Sequence, residues 1–365
     1  MEELIKRAGL EDIERKVMAD KRLSFEDGLR LYQAPLLAVG YLANLKRERL
    51  HGKKAYYVYN QHINYSNECI NLCKFCAFGK PKGHKEGFTL SLEEIEQKIK
   101  ERLQEPIKEI HIVGSVHPDL PFDYYVEIVK MVRRLRPEVV IKAYTVTEIA
   151  HFARISGKSE EEVLQILKEA GLQMLPGGGA EVFSSRVRQE LCPKKLSAER
   201  WLSIAKLAHQ LGIPSNCTML YGHIETIEER LEHLIALREA QDETGGFLCF
   251  IPLSFHPKNT KLSHLPGPTA VDDLKTIAIS RLMLDNIPHI KAYWIMLTPK
   301  LAQVALSFGA DDIDGTIIEE KITHMAQATS PQCLTRSELE AMIKEAGYEP
   351  VERDGLFRAV TKRVV

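Results

Sequence analysis

Three cysteines stand close together in the run Cys69-Ile70-Asn71-Leu72-Cys73-Lys74-Phe75-Cys76. The spacing C-x3-C-x2-C gathers three thiols within one loop and offers no fourth. Thiolates hold iron-sulfur clusters, usually four to a cubane, so three protein ligands would leave one iron open to a small molecule. Such a site could do chemistry as well as move electrons. The competing uses fit less well. A structural zinc ion takes four ligands, often two C-x2-C pairs or a Cys pair followed by a His pair, and no second pair follows here. Three clustered cysteines cannot all pair as disulfides, and nothing else points to an oxidising compartment. Cys192, Cys217, Cys249 and Cys333 are scattered singly in apolar or helical surroundings and read as buried thiols.

The chain around this loop has 365 residues, enough for one large barrel domain or two average domains. Its 49 Lys and Arg nearly cancel its 50 Asp and Glu, which argues against a nucleic-acid binder relying on a basic surface. No apolar run approaches the roughly 20 residues that span a bilayer, and the start, MEELIKRAGLEDIERK, is charged and lacks a signal-peptide core. The sequence therefore reads as soluble and cytoplasmic, with no nucleic-acid partner and no membrane insertion.

Residues 1–55 read as a helical cap. Leu29, Leu31, Leu36, Leu37, Val39, Leu42 and Leu45 give it an apolar face, and the basic Lys46, Arg47 and Arg49 read as a solvated helix end. From residue 56 short strands alternate with capped helices. Tyr56–Tyr65 reads as a first strand, followed by Ile110–Val113, Val139–Tyr144, Gln173–Leu175, Asn216–Leu220 and Phe247–Leu253, with two further candidates at Ile290–Trp294 and Ile313–Ile317. Capping boxes open the intervening helices at Ser91 with Glu94, Ser159 with Glu162 and Thr226 with Glu229. Strand and helix in alternation imply an α/β fold with parallel strands and crossover helices. One barrel domain, 56–320, is expected, followed by a helical extension, 321–365, whose helix opens at Thr335 with Glu338.

In a parallel barrel the site lies at the C-terminal strand ends. Asn60, His62 and Asn64 share one face of the first strand, which leads straight into the cysteine loop, and so point to a pocket lining. Gly114, Ser115 and His117 follow the second strand. His117 is a candidate for substrate, against a loop histidine bonded to backbone. Gly177-Gly178-Gly179-Ala180-Glu181 follows the fourth, where close approach of backbone to a ligand accounts for three glycines better than a plain turn. His256 and Lys258 follow the sixth, and Tyr293 belongs to the seventh. Together these residues suggest an anionic substrate.

At the cysteine motif, with the aromatic Phe75 just before its last cysteine, the sequence resembles the radical S-adenosylmethionine (SAM) superfamily. The resemblance implies a TIM-type barrel with a six-fold core, which two more units would close to eight. It implies a 4Fe-4S cluster on Cys69, Cys73 and Cys76 whose open iron chelates SAM, and whose reduced form splits SAM to a 5'-deoxyadenosyl radical. Phe75, and Phe78 beside it, would lie near the adenine or simply shield the cluster. Gly114 and Ser115 correspond to the loop that holds the SAM amino group, although the usual Gly-Gly-Glu is not reproduced. Gly178 and Glu181 would meet SAM from the fourth strand, the carboxylate accepting from ribose hydroxyls or ammonium.

The segments LPGGGAEVF, CPKKLSAERW, SNCTMLYGHIET, ALREAQDETGGF, FIPLSFHP and HIKAYWIMLTPKLAQVALSFGADDIDGT look like the menaquinone (futalosine) pathway branch of that superfamily, most of all the aminofutalosine synthases. That likeness implies that SAM is consumed: its 5' carbon adds to the enol ether of 3-[(1-carboxyvinyl)oxy]benzoate. Aryl migration and loss of a carboxylate then give 6-amino-6-deoxyfutalosine and methionine. A one-electron reductant such as flavodoxin or ferredoxin is implied. The neighbouring cyclic dehypoxanthinyl futalosine synthases, which release free 5'-deoxyadenosine, and the deazaflavin-cofactor synthases are the rival families. A protein whose cluster is only structural or redox-active is the alternative outside this chemistry.

Overall fold

The computed structural model describes residues 2–360. Nine strands, β1 (Lys54–Val58), β2 (Asn60–Ile63), β3 (Glu109–Ile112), β4 (Val140–Ala143), β5 (Ser215–Tyr221), β6 (Phe247–Ser254), β7 (His289–Ile290), β8 (Asp312–Gly315) and β9 (Glu349–Arg353), form three-stranded sheets. Their orders are β8-β1-β9, β2-β3-β4 and β5-β6-β7, and every strand pairing is parallel. Single parallel bridges join the sheets at Gln61 to Ile318, Lys142 to Met174, Leu175 to Ser215 and Lys291 to Asp312. They carry the order from β2 through β4, the 173–175 segment and β5 to β7 and β8, in the helix-crossed pattern of a TIM-type barrel. The loops after the strands, where the cysteines lie, therefore gather at one end.

Helix starts follow the expected chemistry. Ser91, Ser159, Thr226 and Thr335 each accept from the backbone N–H three residues on, and each Glu at that position returns a bond to the cap, opening helices Leu92–Lys100, Glu160–Ala170, Ile227–Thr244 and Arg336–Glu345. Each cap satisfies backbone donors that a helix end leaves unpaired and contributes about 1 kcal/mol. Among the described residues no helix is long and apolar enough to cross a membrane.

Several strand boundaries differ from the sequence reading. Tyr56–Tyr65 is two strands broken at Tyr59, because β1 pairs with β8 and β9 whereas β2 pairs with β3. Ile290–Trp294 shrinks to His289–Ile290, since Tyr293 caps a short helix, Trp294–Leu297, whose indole N–H donates to the Gly315 carbonyl at 2.9 Å. The segment 173–175 makes only its two bridges.

Residues 2–51 hold four helices, Glu2–Arg7, Glu11–Met18, Phe25–Gln33 and Leu36–His51. The basic cluster at the end of the last is not solvated as expected. Arg47 is fully buried and donates to the carbonyls of Ala310, Gly52 and Lys54, with its guanidinium 3.9 Å from the Tyr348 ring centre, while Lys46 reaches Asp20 at 2.7 Å. The cations clasp carbonyls under the barrel and tie the helix to the C-terminal segment.

That segment adds more than a helix. β9 runs in register with β1 from Lys54 opposite Glu349 to Val58 opposite Arg353. Arg353, fully buried, donates to both carboxylate oxygens of the equally buried Asp312. Removing one member of such a pair strands the other charge in low dielectric. Arg353→Met is therefore expected to lower the unfolding free energy by about 3–5 kcal/mol, and Arg358→Met, at an exposed pair, by less than about 1 kcal/mol. Urea unfolding of the two variants checks the contrast, and equal midpoints would contradict it.

Candidate active site at the strand ends

The cysteine loop leaves β2 and is pinned to its neighbours by backbone bonds: Cys69 N–H to Lys80 O at 2.8 Å, Ile70 N–H to Val116 O at 3.0 Å and Lys74 N–H to Leu191 O at 2.9 Å. Gly79 closes it, its N–H donating to Cys76 Sγ at 3.2 Å. A methyl on Gly79 would stand 3.6 Å from Cys76 Sγ and 4.0 Å from Cys69 Sγ, so the glycine leaves the space between these sulfurs clear. Cys69, Cys73 and Cys76 line one small cavity with Phe75, Phe78, Gly114, Ser115, Gly179 and Lys195.

The sulfur spacing bears on the metal. Among the described residues, the His51, His289 and Asp311 group is the one set of three ligands whose atoms all lie within 4.8 Å of one another. The three sulfurs are thus spread more widely. A single zinc with Zn–S bonds of about 2.3 Å holds its sulfurs no more than about 4.6 Å apart, so the thiols fit a larger, multi-iron group better. The buried Thr147 hydroxyl, which lines the same cavity, has no partner within the protein. Burial pushes the Cys73 thiol up to about 12 and raises that of Cys76, so metal must displace protons to bind. The His51, His289 and Asp311 group lies at the starts of β7 and β8, at the other end of the strands, and Asp311 is held by Arg281 and the Ile290 N–H.

Around the thiols, each candidate has a defined place. Gly114 has the Tyr65 ring and the Ser66 carbonyl where a Cβ would stand, and its N–H donates to Glu148 at 3.3 Å. Glu148 is buried, which raises its carboxyl, and accepts from Tyr65 at 2.6 Å. The Ser115 hydroxyl is already used, donating to the Glu68 carbonyl at 2.5 Å.

The three glycines are explained only in part by a ligand. Gly177, at φ +82°, has the Asn216 carbonyl 2.1 Å from where a Cβ would be, so close strand packing requires it. Gly179, at φ +88°, abuts the Thr147 hydroxyl in the same way. Gly178 and Gly179 line the cavity, held by the Trp201 indole, which donates to Gly178 O at 3.2 Å. Glu181 follows in a left-handed conformation, φ +51°, and pairs with Lys195. The Lys195 ammonium lies 5.4 Å from the Phe75 ring centre, and the Glu181 carboxylate beside it raises its affinity for its proton against the cost of burial.

The main cavity, of about 310 Å³, opens from this end and shares Phe75, Cys76, Gly114, Gly179 and Lys195 with the thiol cavity. Leu220, Ile251, Leu253, Phe255 and Met296 form apolar walls. Lys142, Lys291, His111 and Asp314 line its floor, and Glu320 and Thr323 one side. His256 and Tyr293 also line it, with His256 Nε2 bonded to Met296 O at 2.9 Å.

Five candidates line neither cavity; one of them, Asn64, donates to the Val113 carbonyl at 2.9 Å and accepts from the Lys321 N–H at 3.0 Å. Asn60 is buried beside Glu109, Asp314 and Thr316 inside the barrel. His62 stands beside His111 in the same row, its ring edge-on to that of His111 at 4.5 Å, and does not line the cavity. His117 accepts from the N–H groups of Asp119 and Leu120 and turns its other nitrogen to Glu68 at 3.1 Å, the loop-histidine role. Lys258 is exposed. Cys192, Cys217 and Cys249 are buried as expected, but Cys333 is exposed. The sequence reading did not assign Lys142, Lys195, Asp314 or Glu320 to the site, and it took Lys291 only as one of several strand-end groups suited to holding carboxylates. Lys142 and Lys291 carried a signal: each is a lone cation in an apolar strand, IKAY and IKAYW.

Known proteins share this arrangement. The profile of the radical SAM superfamily matches residues 63–237, and that of the CofH/MqnC C-terminal region matches 244–363. The chain is 51% identical over 353 residues to an aminodeoxyfutalosine synthase of Thermus thermophilus, covering 95% of both chains. It is 42% identical to one of Streptomyces coelicolor, covering 95% of this chain and 93% of that one. Against a 5-amino-6-(D-ribitylamino)uracil–L-tyrosine 4-hydroxyphenyl transferase of Methanosarcina barkeri it is 40% identical, covering 92% and 90%. In structure it resembles methylornithine synthase, with TM-score 0.75 at 18% identity over 92% of this chain and 96% of that one. The hydrogenase maturase HydG gives TM-score 0.72 at 18% identity over 96% and 79%.

Proposed function

The chain belongs to the radical SAM superfamily, and on that premise we propose that it is an aminodeoxyfutalosine synthase. Its substrates are SAM and 3-[(1-carboxyvinyl)oxy]benzoate, and its products 6-amino-6-deoxyfutalosine and methionine, with carbon dioxide lost. The observation that carries the reading is the 51% identity to an enzyme of that name over 95% of both chains. The site supports it, since the small cavity lined by the three thiols adjoins, at Cys76, an apolar-walled cavity that Lys142 and Lys291 also line.

Cys69, Cys73 and Cys76 would hold a 4Fe-4S cluster, which when bound supplies the electron that divides SAM into methionine and a carbon-centred radical. An acidic one-electron carrier such as flavodoxin or ferredoxin would reduce it. Phe75 packs over the adenine, while the Gly114-Ser115 and Gly178-Gly179 backbones border SAM and leave it room. Glu181 accepts from its hydroxyls or ammonium, and Lys195, paired with it, holds that carboxylate in place. The apolar walls exclude water from the reacting carbons and hold the aryl ring flat. His256 and Tyr293 contact the second substrate. No proton abstraction is needed for a radical addition, so no residue is assigned as general base.

Substrate choice tests the reading. The reconstituted, reduced enzyme is offered either 3-[(1-carboxyvinyl)oxy]benzoate or 5-amino-6-(D-ribitylamino)uracil with L-tyrosine. Methionine release that depends on the first alone is expected. Release that depends on the second pair would move the chain to the chemistry of its 40% identical relatives.

A further inference from the structure

We infer that the floor of the cavity is a carboxylate receptor whose donor is the Lys291 ammonium, and that it takes the aryl carboxylate of the second substrate. The inference rests on the proposed function for the identity of that substrate. Its physical basis is a buried ammonium whose protons make no hydrogen bond within the protein.

Parallel register sets His62, His111 and Lys142 in one row across β2, β3 and β4, and His111 and Lys142 share the cavity with Lys291, just after β7, and Asp314 of β8. Most ions at this level are matched. Lys142 holds Glu109 at 2.7 Å, Arg353 holds Asp312, and His324 holds Glu320 at 3.0 Å. Lys291 is different. It is fully buried, and its ammonium lies 3.2 Å from Asp314 and 3.7 Å from Asp312, yet it makes no hydrogen bond. Both carboxylates have other donors: Asp312 takes Arg353 and the Asp314 N–H, and Asp314 takes Asn60 at 3.4 Å. Those two carboxylates keep Lys291 charged despite its burial. An ammonium with unused protons out of water is costly, and a carboxylate from the cavity would satisfy them. His111 Nε2 and Asn216 Oδ1, both on the lining, are buried without partners as well.

The orientation follows from which residues the two cavities share. Phe75, Cys76, Gly179 and Lys195 belong to both and mark the thiol end, whereas Lys291, Lys142, His111 and Asp314 belong only to the larger one. The enol ether must react at the thiol end. Its own carboxylate, which is lost, therefore lies there, and the carboxylate kept in the product lies on Lys291, with the ring between the apolar walls.

Two fragments separate the carboxylates: 3-ethoxybenzoate carries only the aryl one and 2-phenoxyacrylate only the enol-ether one. Their binding to the reconstituted enzyme with SAM, without reductant, is measured by anaerobic calorimetry. Lys291→Met is expected to weaken 3-ethoxybenzoate by about 30-fold or more and 2-phenoxyacrylate by less than about 3-fold. The double variant Lys291→Met/Asp314→Asn, which leaves no unpaired aspartate, is expected to show the same selective loss in a protein that melts like the parent. Unchanged binding of 3-ethoxybenzoate, equal weakening of both fragments, or no binding of 3-ethoxybenzoate to the parent would overturn the inference. Parent turnover of the full substrate is followed in parallel. Turnover with benzoate binding indifferent to Lys291 sinks this inference alone, and Lys291-dependent binding without turnover sinks the proposed function alone.

Discussion

Replacing any one of Cys69, Cys73 or Cys76 by Ala is expected to abolish reductive SAM cleavage and leave the barrel folded. Each thiol is one of three on the loop, and among the described residues that line their cavity there is no histidine or free carboxylate to take its place. Glu148, the carboxyl that lines the same cavity, is occupied by Tyr65, the Thr145 N–H and the Gly114 N–H. A two-thiol site would release its iron or hold a partial cluster. The fold does not depend on these sulfurs, because backbone bonds to Lys80, Val116 and Leu191 shape the loop. Each variant should unfold within about 1 kcal/mol of the metal-free parent. The exposed Cys333→Ala serves as the control and should keep both iron and activity. Iron content, SAM cleavage and urea unfolding are measured together; SAM cleavage at the parent rate by any of the three would contradict the assignment.

The second large effect is expected at Glu181. Glu181→Gln keeps the shape but removes the charge that both Lys195 and the proposed SAM contact use. SAM affinity should fall by about 10- to 100-fold, as a hydrogen bond to a charged group is lost. Stability should fall too, by up to about 3 kcal/mol, because Lys195 is left largely buried without its counter-ion. The double variant Glu181→Gln/Lys195→Met separates the two roles: it should recover stability but not SAM affinity. Calorimetric titration with SAM and urea unfolding read them independently. Unchanged SAM affinity in Glu181→Gln would remove this residue from the site, whatever the stability did.

Much of this arrangement was legible because its causes are local. Capping boxes at Ser91, Ser159, Thr226 and Thr335 depend on a spacing of three residues, and the cysteine loop on a spacing of four and three. What was hidden depends on closure. Whether Asn60, His62 or His111 reaches the cavity turns on which strand stands opposite and how deep the row lies, which no alternation pattern records. The exposed place of Lys258 and the loop role of His117 are decided by neighbours far along the chain, as Glu68 is for His117. Arg47 was read as part of a solvated helix end, since a sequence gives no sign that carbonyls will enclose it. Gly177 was read for a ligand, whereas its need comes from the Asn216 backbone on β5.

The most direct measurement follows the adenine of SAM. The reconstituted enzyme is reduced anaerobically with dithionite and supplied with adenine-labelled SAM and 3-[(1-carboxyvinyl)oxy]benzoate, and the label is traced by chromatography and mass spectrometry. Label in a larger adduct that has lost carbon dioxide, formed in step with methionine, is the expected result. Label confined to free 5'-deoxyadenosine would contradict the proposed reaction and point to a hydrogen-abstracting member of the same superfamily.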